Sequence, residues 1–120
     1  MLYICYSKCT TCQKGKKWLD VHKIDIQVRD IKLNNPGYEE LKSWYEKSEQ
    51  PLKNFFNTSG IIYKAMNLKE KLSLMSEEEQ LRLLATDGML VKRPLIISED
   101  KILIGFKEKQ WMSLLPEKRS

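Results

Sequence analysis

The spacing of apolar residues changes twice within the first 31 positions, and this limits the fold more than any other feature. Leu2-Tyr3-Ile4-Cys5-Tyr6 is a short run of apolar and aromatic strand formers ended by Ser7-Lys8, the pattern of a buried strand. From Thr10 to His22 the spacing becomes helical. Cys12, Gly15, Trp18, Leu19 and His22 recur at threes and fours, while Lys14, Lys16, Lys17, Asp20 and Lys23 can face water. Ile24 to Ile31 then alternates apolar and polar residues, which predicts a strand with one buried face. A right-handed crossover through the helix makes the two strands parallel neighbours in one sheet.

The middle of the chain is different in kind. From the turn signal Asn34-Asn35-Pro36-Gly37 to Leu90 it reads as mostly helical. Tyr38–Lys47 carries Tyr38, Leu41, Trp44 and Tyr45 on one stripe, and Leu52–Phe56 forms a short helix after Pro51. Tyr63–Leu74 reads as one helix. Glu77–Ala85 reads as another, opened by a Ser76/Glu79 capping box and closed by Asp87-Gly88. This stretch, residues 35–90, is too short and interrupted to bury a core alone, so it is an insertion and not a second domain. The strand signal returns in Pro94–Ile97 and Ile102–Phe106, a hairpin across Ser98-Glu99-Asp100-Lys101. A last amphipathic helix from Lys107 to Leu115 carries Trp111, Leu114 and Leu115 before Pro116 and a charged tail stop it. The order β-α-β, helical insertion, β-β-α is an α/β, thioredoxin-like arrangement, with residues 1–120 forming a single domain.

Composition excludes several other classes. The chain is 42% hydrophobic and 31% charged with 5 Gly and 4 Pro, unlike disordered or collagen-like chains. No apolar run approaches the roughly 18 residues of a membrane helix. The start lacks the basic segment and cleavage site of a signal peptide, so a cytoplasmic monomer with no membrane contact is expected. A net charge of +5 suits an acidic partner or an anionic substrate. The chain is too small and too weakly basic to read DNA directly, and it has no helix-turn-helix.

All three cysteines fall within the first 12 residues, and in a reducing compartment clustered thiols signal redox chemistry or metal. Cys9-Thr10-Thr11-Cys12 lies where the first strand gives way to the first helix. At a helix N-terminus, free backbone N–H groups and aligned peptide dipoles favour a negative charge. Cys9 occupies the cap position, where its sulfur can accept from the N–H groups of Thr11 and Cys12. Lys8 and Lys14 add positive potential. Cys9 is therefore expected to be the low-pKa nucleophile and Cys12, one turn on, the resolving thiol. Two other readings stay open: half a zinc site, with Cys5 and His22 the nearest further ligands, or a pair of inert buried thiols. Strand-then-helix context favours redox chemistry and no bound metal. Cys5 reads as a small core residue of the strand, His22 as a cation at a helix end, and Trp18, Trp44 and Trp111 as packing residues.

Lys92-Arg93-Pro94 leads into the third strand, where a proline is tolerated because it has no ladder N–H to donate. A cis bond there would bring this backbone to the active sulfur, and Arg93 would hold a thiolate or an oxyanion.

These two motifs, with a helical insertion between them, resemble the ArsC/Spx family of thioredoxin-fold proteins over nearly the whole chain. The family includes arsenate reductases coupled to glutaredoxin and Spx/MgsR-type regulators that bind RNA polymerase. The resemblance implies a nucleophile at Cys9, an oxyanion-facing arginine at Arg93 and the family's cis-proline at Pro94. Thr10, Thr11, Arg93, Pro94 and Lys107 are then the substrate-binding candidates. This chain also departs from the pattern. Arsenate reductases of this type have two further arginines, where this chain has Asn57-Thr58-Ser59 and Gly105-Phe106-Lys107; Lys107 replaces the second only in part. They also usually have one cysteine at the motif, whereas Cys12 supplies a resolving thiol as in Spx-type regulators. Those regulators in turn carry a basic residue where this chain has Ser59-Gly60, and Phe55–Gly60 is similar to an ArsC-like branch distinct from both.

Two functions follow from the resemblance. One is a thiol–disulfide oxidoreductase of the arsenate reductase-like type, drawing electrons from an external thiol reductant such as glutaredoxin with glutathione, or thioredoxin, with no bound cofactor. The other is a redox-sensing regulator whose partner is the RNA polymerase α-subunit.

Overall fold

In the computed structural model, which describes residues 1–115, four short strands form one sheet. They are β1 (Leu2–Cys5), β2 (Gln27–Asp30), β3 (Leu95–Ile97) and β4 (Ile102–Ile104), in the order β2-β1-β3-β4. β1 runs parallel to β2 with Tyr3 opposite Val28, and antiparallel to β3 with Tyr3 opposite Ile96. β3 and β4 form the expected hairpin. The parallel pair is joined by α1 (Thr10–Val21), as the crossover requires.

Alternation along the strands assigns a core to each face of the sheet. Tyr3 and Ile96 point to one face, where Leu19 of α1 and Trp111 of the last helix, α6 (Glu108–Trp111), close over them. Ile4, Leu95, Ile102 and Ile104 point to the other, under the helical insertion. The insertion comprises α2 (Tyr38–Ser48), α3 (Ile61–Ala65), α4 (Leu68–Lys71) and α5 (Glu77–Leu84), with 3-10 turns at Leu52–Phe55, Leu72–Leu74 and Gly88–Leu90. Its Leu41, Trp44, Phe55, Tyr63, Leu68 and Leu84 share one apolar cluster with the strands. Backbone bonds fasten its exit: Asn57 N–H donates to the Leu90 carbonyl at 2.8 Å, and Lys92 N–H to the Phe55 carbonyl at 2.8 Å. Gly88 lies so close to the carbonyl of Ile31 that a Cβ there would overlap that oxygen.

Several local expectations are corrected. The second strand is only four residues long. Ile24 and Ile26 lie half-buried before it, and Val28 is 48% exposed, because β2 is an edge strand that the helices do not fully cover. The helix expected over Tyr63–Leu74 starts at Ile61 and breaks at Asn67, whose left-handed backbone (φ 55°) turns the chain between α3 and α4. Tyr63, Leu68 and Leu72 all reach the core because of that break. Asp87 does not close α5; its carboxylate accepts from Met89 N–H at 2.8 Å and caps the next turn. The last helix is a single α turn followed by a 3-10 turn, Met112–Leu114; Pro116 and the charged tail lie outside the described residues. With one parallel and two antiparallel strand pairs in one sheet and helices on both faces, the architecture is thioredoxin-like.

Candidate active site

The backbone turns sharply between β1 and α1, with Cys9 N–H bonded to the Tyr6 carbonyl at 3.0 Å. Cys9 is the N-cap of α1, extended at φ −92° and ψ 117°, so its side chain folds back over the first turn. Its Sγ accepts from Cys12 N–H at 3.3 Å. Burial opposes ionisation of Cys9. It is outweighed by the Cys12 N–H and thiol, the positive charge of Arg93 and the Thr11 N–H, and the net shift is downward. The charge that reaches the sulfur is thus on Arg93, while Lys8 and Lys14 are exposed to water.

Cys12 is in the opposite state. It is 2% exposed, and its Sγ accepts from Tyr6 N–H at 3.4 Å. Burial first, then its hydrogen bond to Cys9 and the charge there, push its pKa up to about 12. One thiol is poised to ionise and its neighbour is held protonated behind it. Cys5 is also pushed up, by burial and by Asp30, which suits the packing role read for it. His22 caps the far end of α1 with its ring 4.1 Å from that of Trp18. Among the described residues no three His, Cys, Asp or Glu side chains converge as metal ligands, so Cys5 and His22 do not complete a site with the pair.

The Arg93–Pro94 bond is cis. The Arg93 guanidinium lies 5.4 Å from the centre of the Tyr6 ring, and its Nη1 reaches the Val91 and Met89 carbonyls only at 3.3 and 3.5 Å. Its Nε is buried without a partner. These weakly used donors are free to take up an anion.

Cys9 and Arg93 open onto a cleft of about 690 Å³. Thr11 and Lys107, both anticipated, also line it, as does Lys92. Thr10 and Pro94 do not: Thr10 points to water at the start of α1, and Pro94 is buried behind Arg93, its carbonyl accepting from Gly105 N–H at 2.8 Å. The far wall comes from the insertion, with Asn57, Ser59, Ile61 and Ile62, and from Met89 and Phe106. Apolar spacing does not show that wall, because it is brought to the cleft by long-range contacts, the Phe55–Lys92 and Asn57–Leu90 backbone bonds and the packing of Phe56 with Val91. No Asp or Glu of the described residues lines the cleft.

A thiol of lowered pKa at a helix cap, a buried partner thiol and an arginine before a cis-proline, set on this sheet, belong to a thioredoxin-fold protein with an inserted helical layer. Residues 4–114 match the ArsC family, and the chain belongs to it. It is 57% identical over 106 residues to the uncharacterized protein YusI of Bacillus subtilis (strain 168), covering 88% of this chain and 90% of that one. It is 28% identical to the regulatory protein MgsR of the same organism, over 98% of this chain and 92% of that one. An ArsC family related protein from Bacteroides fragilis superimposes with a TM-score of 0.93 at 51% identity, covering 95% and 96% of the two chains. A possible arsenate reductase from Streptococcus mutans UA159 does so with a TM-score of 0.83 at 46% identity, covering 88% and 90%.

Proposed function

We propose that this protein is a cytoplasmic thiol–disulfide oxidoreductase of the arsenate reductase-like type. The observation that carries the reading is the contrast between the two thiols: Cys9 is held toward its thiolate by the Cys12 N–H at 3.3 Å, and Cys12 is buried and protonated beside it. On a disulfide, the Cys9 thiolate attacks one sulfur, the S–S bond breaks, and the other sulfur leaves as a thiolate. Once Cys9 is in the mixed disulfide its negative charge is gone, and with it one of the causes that keep Cys12 protonated. Cys12 then gives up its proton to the departing thiolate and attacks Cys9 Sγ. A Cys9–Cys12 disulfide forms and the second thiol is released. An external dithiol such as thioredoxin, or glutathione with glutaredoxin, returns the two electrons.

With arsenate, the Cys9 thiolate displaces an oxygen as water. Attack by Cys12 on Cys9 Sγ then leaves the electron pair of the S–As bond on arsenic as arsenite. Arg93, Lys92 and Lys107 would hold the anion, with Thr11 at the helix start. Kinship with MgsR supports a second reading, in which the same disulfide switches binding to the RNA polymerase α-subunit.

The test is turnover of a small-molecule disulfide and of arsenate with each reductant. Cys9→Ser should fall to the uncatalysed background, and Cys12→Ser should accumulate a mass-detectable adduct on Cys9. Undiminished turnover in Cys9→Ser overturns the assignment. Redox-dependent capture of the α-subunit without any turnover selects the regulator.

A further inference from the structure

Among the described residues β4 ends the sheet, with β3 on one side and no strand on the other. Residues of an antiparallel pair alternate between bonding across the pair and pointing away from it. Gly105 N–H donates to the Pro94 carbonyl at 2.8 Å, and Ser98 N–H to the Lys101 carbonyl at 2.9 Å. Lys101, Leu103 and Gly105 therefore bond toward β3, and the backbone N–H and C=O groups of Ile102 and Ile104 face the free edge. Both residues are largely buried, 8% exposed, so the strand is fixed in place, while among the described residues their outward backbone groups have no backbone partner.

That edge borders a groove of about 440 Å³. Gln50, Lys53 and Asn54 form one bank, and Lys107 and Gln110 the other. Lys92 also lines it, and no Asp or Glu of the described residues does. Lys92 and Lys107 are shared with the cleft of Cys9, and Gly105, next in the chain after Ile104, lines that cleft too. The two hollows share Lys92 and Lys107, so basic side chains lie both beside the strand edge and beside the nucleophilic sulfur.

An edge of unpaired peptide groups is satisfied by another extended chain, and lysines without acidic neighbours select a negative one. We propose that β4 takes up an extended acidic polypeptide segment of a protein substrate as a fifth strand, which leads that segment's disulfide to Cys9. Strand addition stands apart from the thiol chemistry; only delivery to Cys9 rests on the function proposed above.

The experiment follows amide signals of the full-length Cys9→Ser protein by NMR on adding an acetylated six-residue peptide of alternating Glu and Val. One control replaces Glu by Lys, and another is N-methylated at every second residue, so that it cannot donate along one edge. The acidic peptide should shift the Ile102 and Ile104 amides and slow their hydrogen exchange. The N-methylated peptide should bind about tenfold more weakly, as expected for losing hydrogen bonds worth about 1 kcal/mol each, and the lysine peptide should not bind. No binding at millimolar peptide would overturn strand addition and leave the lysines as guards of a bare edge. Equal binding of the N-methylated peptide, with shifts confined to Lys92, Arg93 and Lys107, would also overturn it, in favour of a site for small anions. Delivery is read separately in Cys12→Ser, offered the acidic or the lysine peptide with a cysteine activated as a thionitrobenzoate disulfide. Attack joins the peptide to Cys9 and releases thionitrobenzoate, and the acidic peptide should react about tenfold faster at low salt. Equal rates would overturn delivery. No reaction with either peptide would sink the nucleophile itself, while the NMR result stands or falls alone.

Discussion

The Cys9 pKa is lowered against the effect of its own burial, so the support it receives can be taken away one group at a time. Two of the supports are backbone N–H groups, which truncating a side chain leaves in place. The Cys12 thiol and the Arg93 charge are the supports that side-chain substitution reaches, and Arg93 is the one that carries charge. Replacing it with Ala leaves the helix cap intact but deletes the charge, so the Cys9 pKa should rise. Alkylation by iodoacetamide near pH 7 should slow by about fivefold, following the thiolate fraction. Arg93→Lys returns the charge without the planar fork, so it should recover most of the alkylation rate yet leave the KM for an anionic substrate raised. Equal alkylation rates in Arg93→Ala and the parent protein would show that the cap alone holds the thiolate.

The placement of α1 depends on Gly15 more than on its apolar stripe. A Cβ at Gly15 would lie 2.6 Å from Tyr3 Oη and 2.8 Å from Trp111 Cη2, both packed beneath the helix. Tyr3 also donates its hydroxyl to the Cys12 carbonyl at 2.6 Å, so the contact that admits the helix is close to the bond that holds its first turn. Gly15→Ala should cost about 1–3 kcal/mol in urea denaturation, a typical penalty for overpacking, and should also slow Cys9 alkylation as the turn shifts. Unchanged stability would mean that Trp111 yields freely. This close approach also marks how far sequence reasoning carries. Cys9, Cys12 and the Arg93–Pro94 pair were legible because each acts through its own local backbone, a helix cap or a strand start. Gly15 showed only as one position of an apolar stripe, since its need to be glycine arises from Tyr3 and Trp111, residues brought to it by the sheet and by α6. The break at Asn67 and the Ile61–Ile62 part of the wall were hidden for the same reason, since a left-handed residue and a long-range backbone bond leave no periodic trace; only the family pattern drew attention to Asn57–Ser59.

At the scale of the whole molecule, three buried or half-buried groups beside the first helix turn hold their protons more tightly than usual. Tyr3, Cys5 and Cys12 are all pushed up, each chiefly by burial, whereas Cys9 is lowered. For Cys12 the folded protein keeps the proton up to about 12, while the unfolded chain releases it near 9.0. Its contribution to stability is therefore complete below pH 9 and is lost as the pH climbs toward 12, and Tyr3 and Cys5 act in the same direction. Cys9 runs oppositely, its contribution being present above the unfolded value and lost as the pH falls through its lowered one. Under reducing conditions the urea midpoint should hold near pH 8 and drop steeply between pH 9 and 11. Each group that ionises only in the unfolded chain adds about 1.4 kcal/mol per pH unit to that slope. Cys12→Ala removes one such group, so its stability should start lower, because a buried side chain is truncated, and then fall less steeply by about that amount. Parallel slopes for the two proteins would mean that Cys12 ionises in the folded state as readily as in the unfolded one. The contrast between the two thiols, on which the resolving role depends, would then be lost.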